Sequence, residues 1–113
     1  MLEVIALTPD DARAASDGGA DRLELIGTMA DDGLSPAPAV VERVVAASAV
    51  PVRVMVRSRA GFRIDPAEPL RLAGLAHAFA DAGAAGLVLG FLDDHGRLDL
   101  AAVSTVVEAI DLP

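Results

Sequence analysis

The chain has 113 residues, a net charge of −8 and 53% apolar residues, much of that alanine. This length suits one domain with a real core; the charge disfavours nucleic acid and anionic membrane as partners, and no run approaches the roughly 18 apolar residues of a membrane span. There is no cysteine, which removes disulfides and thiolate metal sites, and all nine basic residues are arginine, which removes Schiff-base chemistry.

Near the N-terminus Glu3 stands where an export signal would carry basic residues, so no export is expected. Residues 2–7 predict a first strand. Thr8-Pro9-Asp10-Asp11 then supplies an N-cap, a proline at the first helical position and early acids, opening a helix that closes at Gly18-Gly19. Residues 21–26 predict a second strand. A polar loop over 27–34 leads to Ser35-Pro36, which reads as the cap and first turn of a helix over about 37–48 with a stripe of Val40, Val41, Val44 and Val45.

Residues 50–56 are β-branched and predict a third strand, with Pro51 tolerable only at its start. An arginine-rich loop over 57–64 leads to Asp65-Pro66-Ala67-Glu68, the pattern of a capping box, although Pro69 weakens that first turn. Leu72, Leu75, Ala76 and Phe79 then repeat at helical spacing. Residues 86–91 predict a fourth strand, Asp93-Asp94-His95-Gly96 a turn, and Asp99 the cap of a fourth helix reaching about Asp111.

Gly19-Ala20-Asp21-Arg22-Leu23-Glu24-Leu25 recurs as Gly83-Ala84-Ala85-Gly86-Leu87-Val88-Leu89, each copy following an alanine-rich helix. A helix closing on glycine and handing over to a short apolar strand is one rung of a β/α ladder. Four such rungs, with strands buried on both faces, predict an α/β fold with a parallel sheet. The first βα turn lacks the glycines of a dinucleotide fingerprint, and the strand spacing suits barrel rungs, about 250 residues making a whole barrel. The expected fold is therefore half of a (β/α)8 TIM-type barrel, a single (β/α)4 unit over residues 1–113. A half sheet leaves strands 1 and 4 with unpaired edges. Two copies could close a barrel around a twofold axis, but a fragment of a longer TIM-barrel chain is the favoured expectation.

Charges on such strands carry information. Alternation places Glu3, then Arg22 and Glu24, then Arg53, Met55 and Arg57 on one set of faces, pointing into the barrel. Arg22 and Arg53 come early in their strands and suit an ion-pair network that fills the interior, whereas Glu24 and Arg57 come at carboxyl ends, where barrel enzymes place their chemistry. Arg57, Arg59 and Arg63 crowd the third βα loop, either as an anion cradle with Gly61 allowing close approach or as loop arginines paired with Asp31, Asp32 or Asp65. Met29 and Met55 are soft metal donors in type, but a methionine on a strand is usually core. His77 reads as a helix-surface residue and His95 as a turn residue, and no spacing is a metal motif by itself.

Leu2-Glu3-Val4, Gly18-Gly19-Ala20-Asp21-Arg22-Leu23-Glu24-Leu25, Gly33-Leu34-Ser35-Pro36, Met55-Val56-Arg57-Ser58-Arg59 and Gly86-Leu87-Val88-Leu89-Gly90 together resemble the N-terminal half of the CutC copper-homeostasis family. The resemblance implies a cytoplasmic (β/α)8 barrel assigned to copper handling, with copper as its cofactor or partner and a polar pocket onto which Glu24, Arg57 and Arg59 map, with Glu3 beside them. It also implies a histidine-arginine pair on a fifth strand. The chain departs from the family at Ile26, where a cysteine is common, and at Arg57-Ser58-Arg59-Ala60-Gly61, usually Arg-Pro-Arg-Gly-Gly. Losing the thiol removes the donor Cu(I) prefers, leaving Met55 and His95 as weak metal candidates.

Three functions follow as alternatives. One is a metal-binding copper-homeostasis protein without turnover. Another is an enzyme in which Glu24 is acid/base and Arg57, Arg59 and Arg63 hold a small anionic substrate. The third is a half-barrel whose function needs a second copy or the remainder of the barrel.

Overall fold

The computed structural model describes residues 1–110. Four strands alternate with four helices: β1 (Glu3–Ala6), α1 (Pro9–Asp17), β2 (Arg22–Leu25), α2 (Pro38–Ala47), β3 (Val52–Met55), α3 (Glu68–Asp81), β4 (Gly86–Val88) and α4 (Leu100–Val107). All pairings are parallel and the spatial order β1-β2-β3-β4 follows the chain. This is the expected run of βα rungs. The end expected for the fourth helix, Asp111, lies outside the described residues.

The repeated rung is built identically at both sites. After α1, Gly19 turns to φ 95° and after α3, Gly83 turns to φ 101°. Gly19 N–H donates to Ser16 O and Ala20 N–H to Ala15 O; Gly83 N–H donates to Ala80 O and Ala84 N–H to Phe79 O. This is the Schellman closure, in which a residue free to adopt positive φ lets two amides turn back onto the last carbonyls. Ala20 and Ala84 are then buried as the strands begin.

Helix α1 opens as its sequence predicts: Thr8 Oγ1 accepts from Asp11 N at 3.1 Å, and Asp11 Oδ2 accepts from Thr8 N at 3.2 Å. Asp99 caps α4 by accepting from Ala102 N at 3.0 Å. Two other starts differ. Helix α2 is preceded by Ala37, with Pro38 in its first turn and no side-chain cap, because the Ser35 hydroxyl is used elsewhere. Helix α3 begins at Glu68 without a capping box, because the Asp65 carboxylate pairs with Arg59 at 3.0 Å while Glu68 accepts from Ser58 and Arg71.

The core lies between one face of the sheet and the helices. Leu23, Leu25, Val52, Val54 and Val56 pack against Val41 and Val44 of α2, Leu72, Ala76 and Phe79 of α3, and Val106 of α4. Helices cover this face alone. On the opposite, inward face Ile5 is 48% exposed, so the expectation of strands buried on both faces holds for one face among the described residues. No described helix is long and apolar enough to cross a membrane.

Candidate functional site

Strand alternation puts Glu3 and Ile5, Arg22 and Glu24, Arg53 and Met55, and Gly86 and Val88 on the inward face. The register sets Glu3 opposite Arg22, Glu24 opposite Arg53, and Arg53 opposite Gly86. Glu3 and Arg22 form an ion pair, each about a quarter to a third exposed. Arg53 is half-buried and makes no ion pair among the described residues.

Glu24 lies diagonal to Glu3 on the inward face, one pair further along the β1–β2 register. Burial first, then the charge of Glu3 and its carboxyl as a neighbour, push the Glu24 carboxyl above the usual glutamate range. It therefore keeps its proton to higher pH than an ordinary glutamate, which suits a proton donor or acceptor. Arg57 lies four residues beyond Arg53, the residue level with Glu24. At roughly 3.3 Å per residue that is about 13 Å along the strand direction. The structure thus brings Glu24 to Glu3, and holds Arg57 in a separate layer above them.

The upper layer is anchored by Ser35. Its hydroxyl donates to Met55 O at 2.7 Å and accepts from Arg57 N at 2.7 Å, while Ser35 N donates to Arg57 O at 2.9 Å. The loop after β2 is thereby pinned to the end of β3. Gly27 makes this approach possible: a Cβ there would lie 2.6 Å from Ser35 O. The Arg57 guanidinium donates from Nε to Gly61 O at 3.1 Å and from Nη1 to Gly33 O at 3.4 Å, and it lies 5.1 Å from the Phe62 ring centre. Ser35 and Gly27 were not singled out as site residues from sequence, since Ser-Pro before a helix reads as a cap and the hydroxyl's partners come from a different strand.

Arg57 is the charged group of a hollow of about 380 Å³ whose other walls are apolar: Met55 and Val88 from the strands, Phe62, Leu92 and Leu98 from the loops. Those two loops are stitched together by Leu92 N donating to Phe62 O at 2.7 Å and by a parallel bridge between Arg63 and Leu92. Arg59 and Arg63 belong to a neighbouring hollow. Arg59 pairs with Asp65 at 3.0 Å and Arg63 with Asp94. Asp93 and Asp99 line that space too, so its carboxylates offset both guanidinium charges. The Asp32 side chain lies outside the described residues.

No group of three His, Cys, Asp or Glu able to hold a metal occurs among the described residues. Met55 sits among apolar side chains beside a guanidinium, which repels a cation. His95 is exposed in its turn, where its N–H donates to Asp93 Oδ1 at 2.8 Å. His77 is exposed on α3 with Nδ1 3.3 Å from Asp81, and Met29 is 61% exposed.

The CutC family profile matches residues 1–112. A CutC family protein of Xanthomonas campestris pv. campestris is 38% identical over 109 residues, 96% of this chain and 45% of the relative. One from Sinorhizobium medicae is 41% identical over 100 residues, 88% of this chain and 40% of that protein. The chain thus spans a little under half the length of the curated relatives it matches. The crystal structure of the candidate copper homeostasis protein CutC from Streptococcus agalactiae superposes with TM-score 0.87 at 24% identity, covering 100% of this chain and 57% of that one. A candidate phosphonomutase from Burkholderia cenocepacia superposes at 0.64 with 26% identity, over 96% of this chain and 46% of the other. A rung order, a register and a match that runs the length of the described residues agree: the chain belongs to the CutC family.

Proposed function

We propose that this chain supplies the first four rungs of a CutC-type barrel and that the carboxyl ends of its strands bind a small organic anion through Arg57. The observation that carries this is the position of Arg57. A guanidinium braced by two backbone carbonyls stands as the charged wall of a hollow at the end of the sheet where barrel proteins bind their ligands. The B. cenocepacia relative, named as a phosphonomutase, supports anionic chemistry on this frame. Arg59 and Arg63 stand in the neighbouring hollow, where they pair with Asp65 and Asp94. Glu24 and Glu3 belong to the layer below and offer a proton there instead of gripping the same small group. The open inward face is closed by further rungs or by a second copy.

The test is titration of the purified protein with citrate and with a monocarboxylate, followed by calorimetry. Binding that disappears in Arg57→Gln while the melting temperature holds supports the proposal; equal binding by both proteins refutes it.

A second reading, cytoplasmic copper handling, is favoured by the family's assignment and by the name of the S. agalactiae protein. The donors described here do not fit copper: one half-buried thioether faces a guanidinium, and both histidines lie exposed on other surfaces. Copper would have to find its donors beyond these residues. Titration with Cu(I) under reducing conditions is expected to leave the stability of this half unchanged, and a saturable rise in melting temperature that Met55→Leu abolishes would favour the copper reading.

A further inference from the structure

We infer that two copies of this chain join around a twofold axis, each β4 edge against the other copy's β1 edge, and close one barrel with Glu3 and Arg53 of both copies in a single inner layer. This rests on the half-barrel part of the reading above and is independent of the anion at Arg57. Among the described residues β1 pairs only with β2, and β4 only with β3. The two free edges run in the same direction, so rotation about an axis along the strands brings one edge to the other without reversal. An open strand edge is a template for pairing with another chain, and the exposed Ile5 beside it is apolar surface to be covered.

Charge favours a second copy as the occupant. In a barrel of this type alternate strands share each inner layer, and each strand is offset by one residue from the last. Glu3 is in register with Arg22, and Glu24 with Arg53, so two offsets bring Arg53 into the layer of Glu3, and Met55 into that of Ile5. Arg53 is half-buried and makes no ion pair among the described residues. In the closed barrel its layer reads acid, base, acid, base around the axis, with each guanidinium between a carboxylate of its own copy and one of the other. Charge inside a barrel is tolerable on those terms. Gly86 stands in register with Arg53 and leaves the intervening strand bare on the way to the other copy. The inward face is thus its own complement. The outer layer agrees. Helix α1 packs against both β1 and β2, so a helix covers its own strand and the next. Leu100, Val103 and Val107 form an apolar stripe on α4, with Leu100 and Val107 66% and 44% exposed, and Leu2 is 51% exposed on the helix side of β1. The twofold axis lays that stripe over the other copy's β1, as α1 lies over β2.

The experiment is sedimentation equilibrium of the purified 113-residue protein over a range of concentrations, with circular dichroism to read the fold. A species of twice the 11.5 kDa chain mass is expected. Arg53→Glu makes the shared layer all acidic and Glu3→Arg makes it all basic, and each is expected to weaken self-association at least about a hundredfold. Mixed together, the two variants bring two charges of each sign back to the layer, so a heterodimer should form from chains that do not pair with themselves. Ile5→Lys, at a position exposed in the single copy, should keep the helical signal and abolish the dimer. A chain that stays monomeric overturns the inference, assigns these edges to further rungs, and leaves citrate binding at Arg57 to its own titration. A dimer that survives both Arg53→Glu and Ile5→Lys uses another surface and overturns it too, as does a mixture of the charge-reversed chains that stays unpaired.

Discussion

Replacing Ser35 by alanine removes one hydroxyl that joins two segments remote in sequence. That hydroxyl donates to Met55 O and accepts from Arg57 N, both at 2.7 Å, in a partly buried setting. A hydrogen bond contributes about 1 kcal/mol net, so losing two and leaving a carbonyl and an amide to weak hydration costs about 2 kcal/mol. A chain of 113 residues unfolds with an entropy near 0.24 kcal/mol/K, so the melting temperature should fall by about 8 °C. Thermal and urea unfolding followed by far-ultraviolet circular dichroism reads the change directly. Ser35→Thr keeps the hydroxyl and should recover most of the loss. Because the same bond orients the backbone of Arg57, the alanine variant should also bind citrate more weakly at temperatures where it is fully folded. A Ser35→Ala protein melting within about 1 °C of the parent, which is below the effect of even one such bond, would refute the account of the pin.

Gly27→Ala should cost about 1–3 kcal/mol, since the new methyl meets the Ser35 carbonyl at 2.6 Å and the loop must shift; a urea midpoint that does not move would refute the close approach. Gly74, inside α3 with nothing within 4 Å of a built Cβ, is the opposite case, and Gly74→Ala should stabilise by about 0.5–1 kcal/mol in the same assay. Thr8→Ala should lose about 1 kcal/mol by breaking the capping box of α1, and Thr8→Ser should retain most of it. Glu24 has a carboxyl raised by burial and by Glu3, so the folded state binds its proton more tightly than the unfolded chain. Stability on that account is greatest below about pH 4.3, the unfolded glutamate value, and declines as pH rises through the raised folded value. Glu24→Gln should flatten that limb of the stability–pH curve, and an unaltered curve would exclude Glu24 as its source.

Much of the fold was legible because local signals agreed with one another. Thr8, Pro9 and Asp11 mark the start of α1 by chemistry contained in four consecutive residues, and Asp99 does the same for α4. Gly19 and Gly83 stand at the same step of the same rung. Contacts that cross between elements were harder to read. Asp65-Pro66-Ala67-Glu68 has the letters of a capping box, yet Arg59 and Arg71 compete successfully for its two carboxylates. Ser35 has the letters of a cap and bonds to β3. Glu24 and Arg57 share an inward face, but which residues meet across a parallel sheet depends on register, and register is a property of two strands together. The register set Glu24 level with Arg53 and diagonal to Glu3, and this decided the layers of the candidate site.

One such pairing leaves room for invention. The alignment that stands Glu3 against Arg22 also stands Arg53 against Gly86, and in the repeated rung Gly86 takes the place held by Arg22 in the earlier copy. The sheet thus carries a finished ion pair at one edge and half of another at the opposite edge. A carboxylate written in at position 86 would stand in register with Arg53 as Glu3 stands with Arg22, so the duplicated frame indicates where a designer would try a second ion pair.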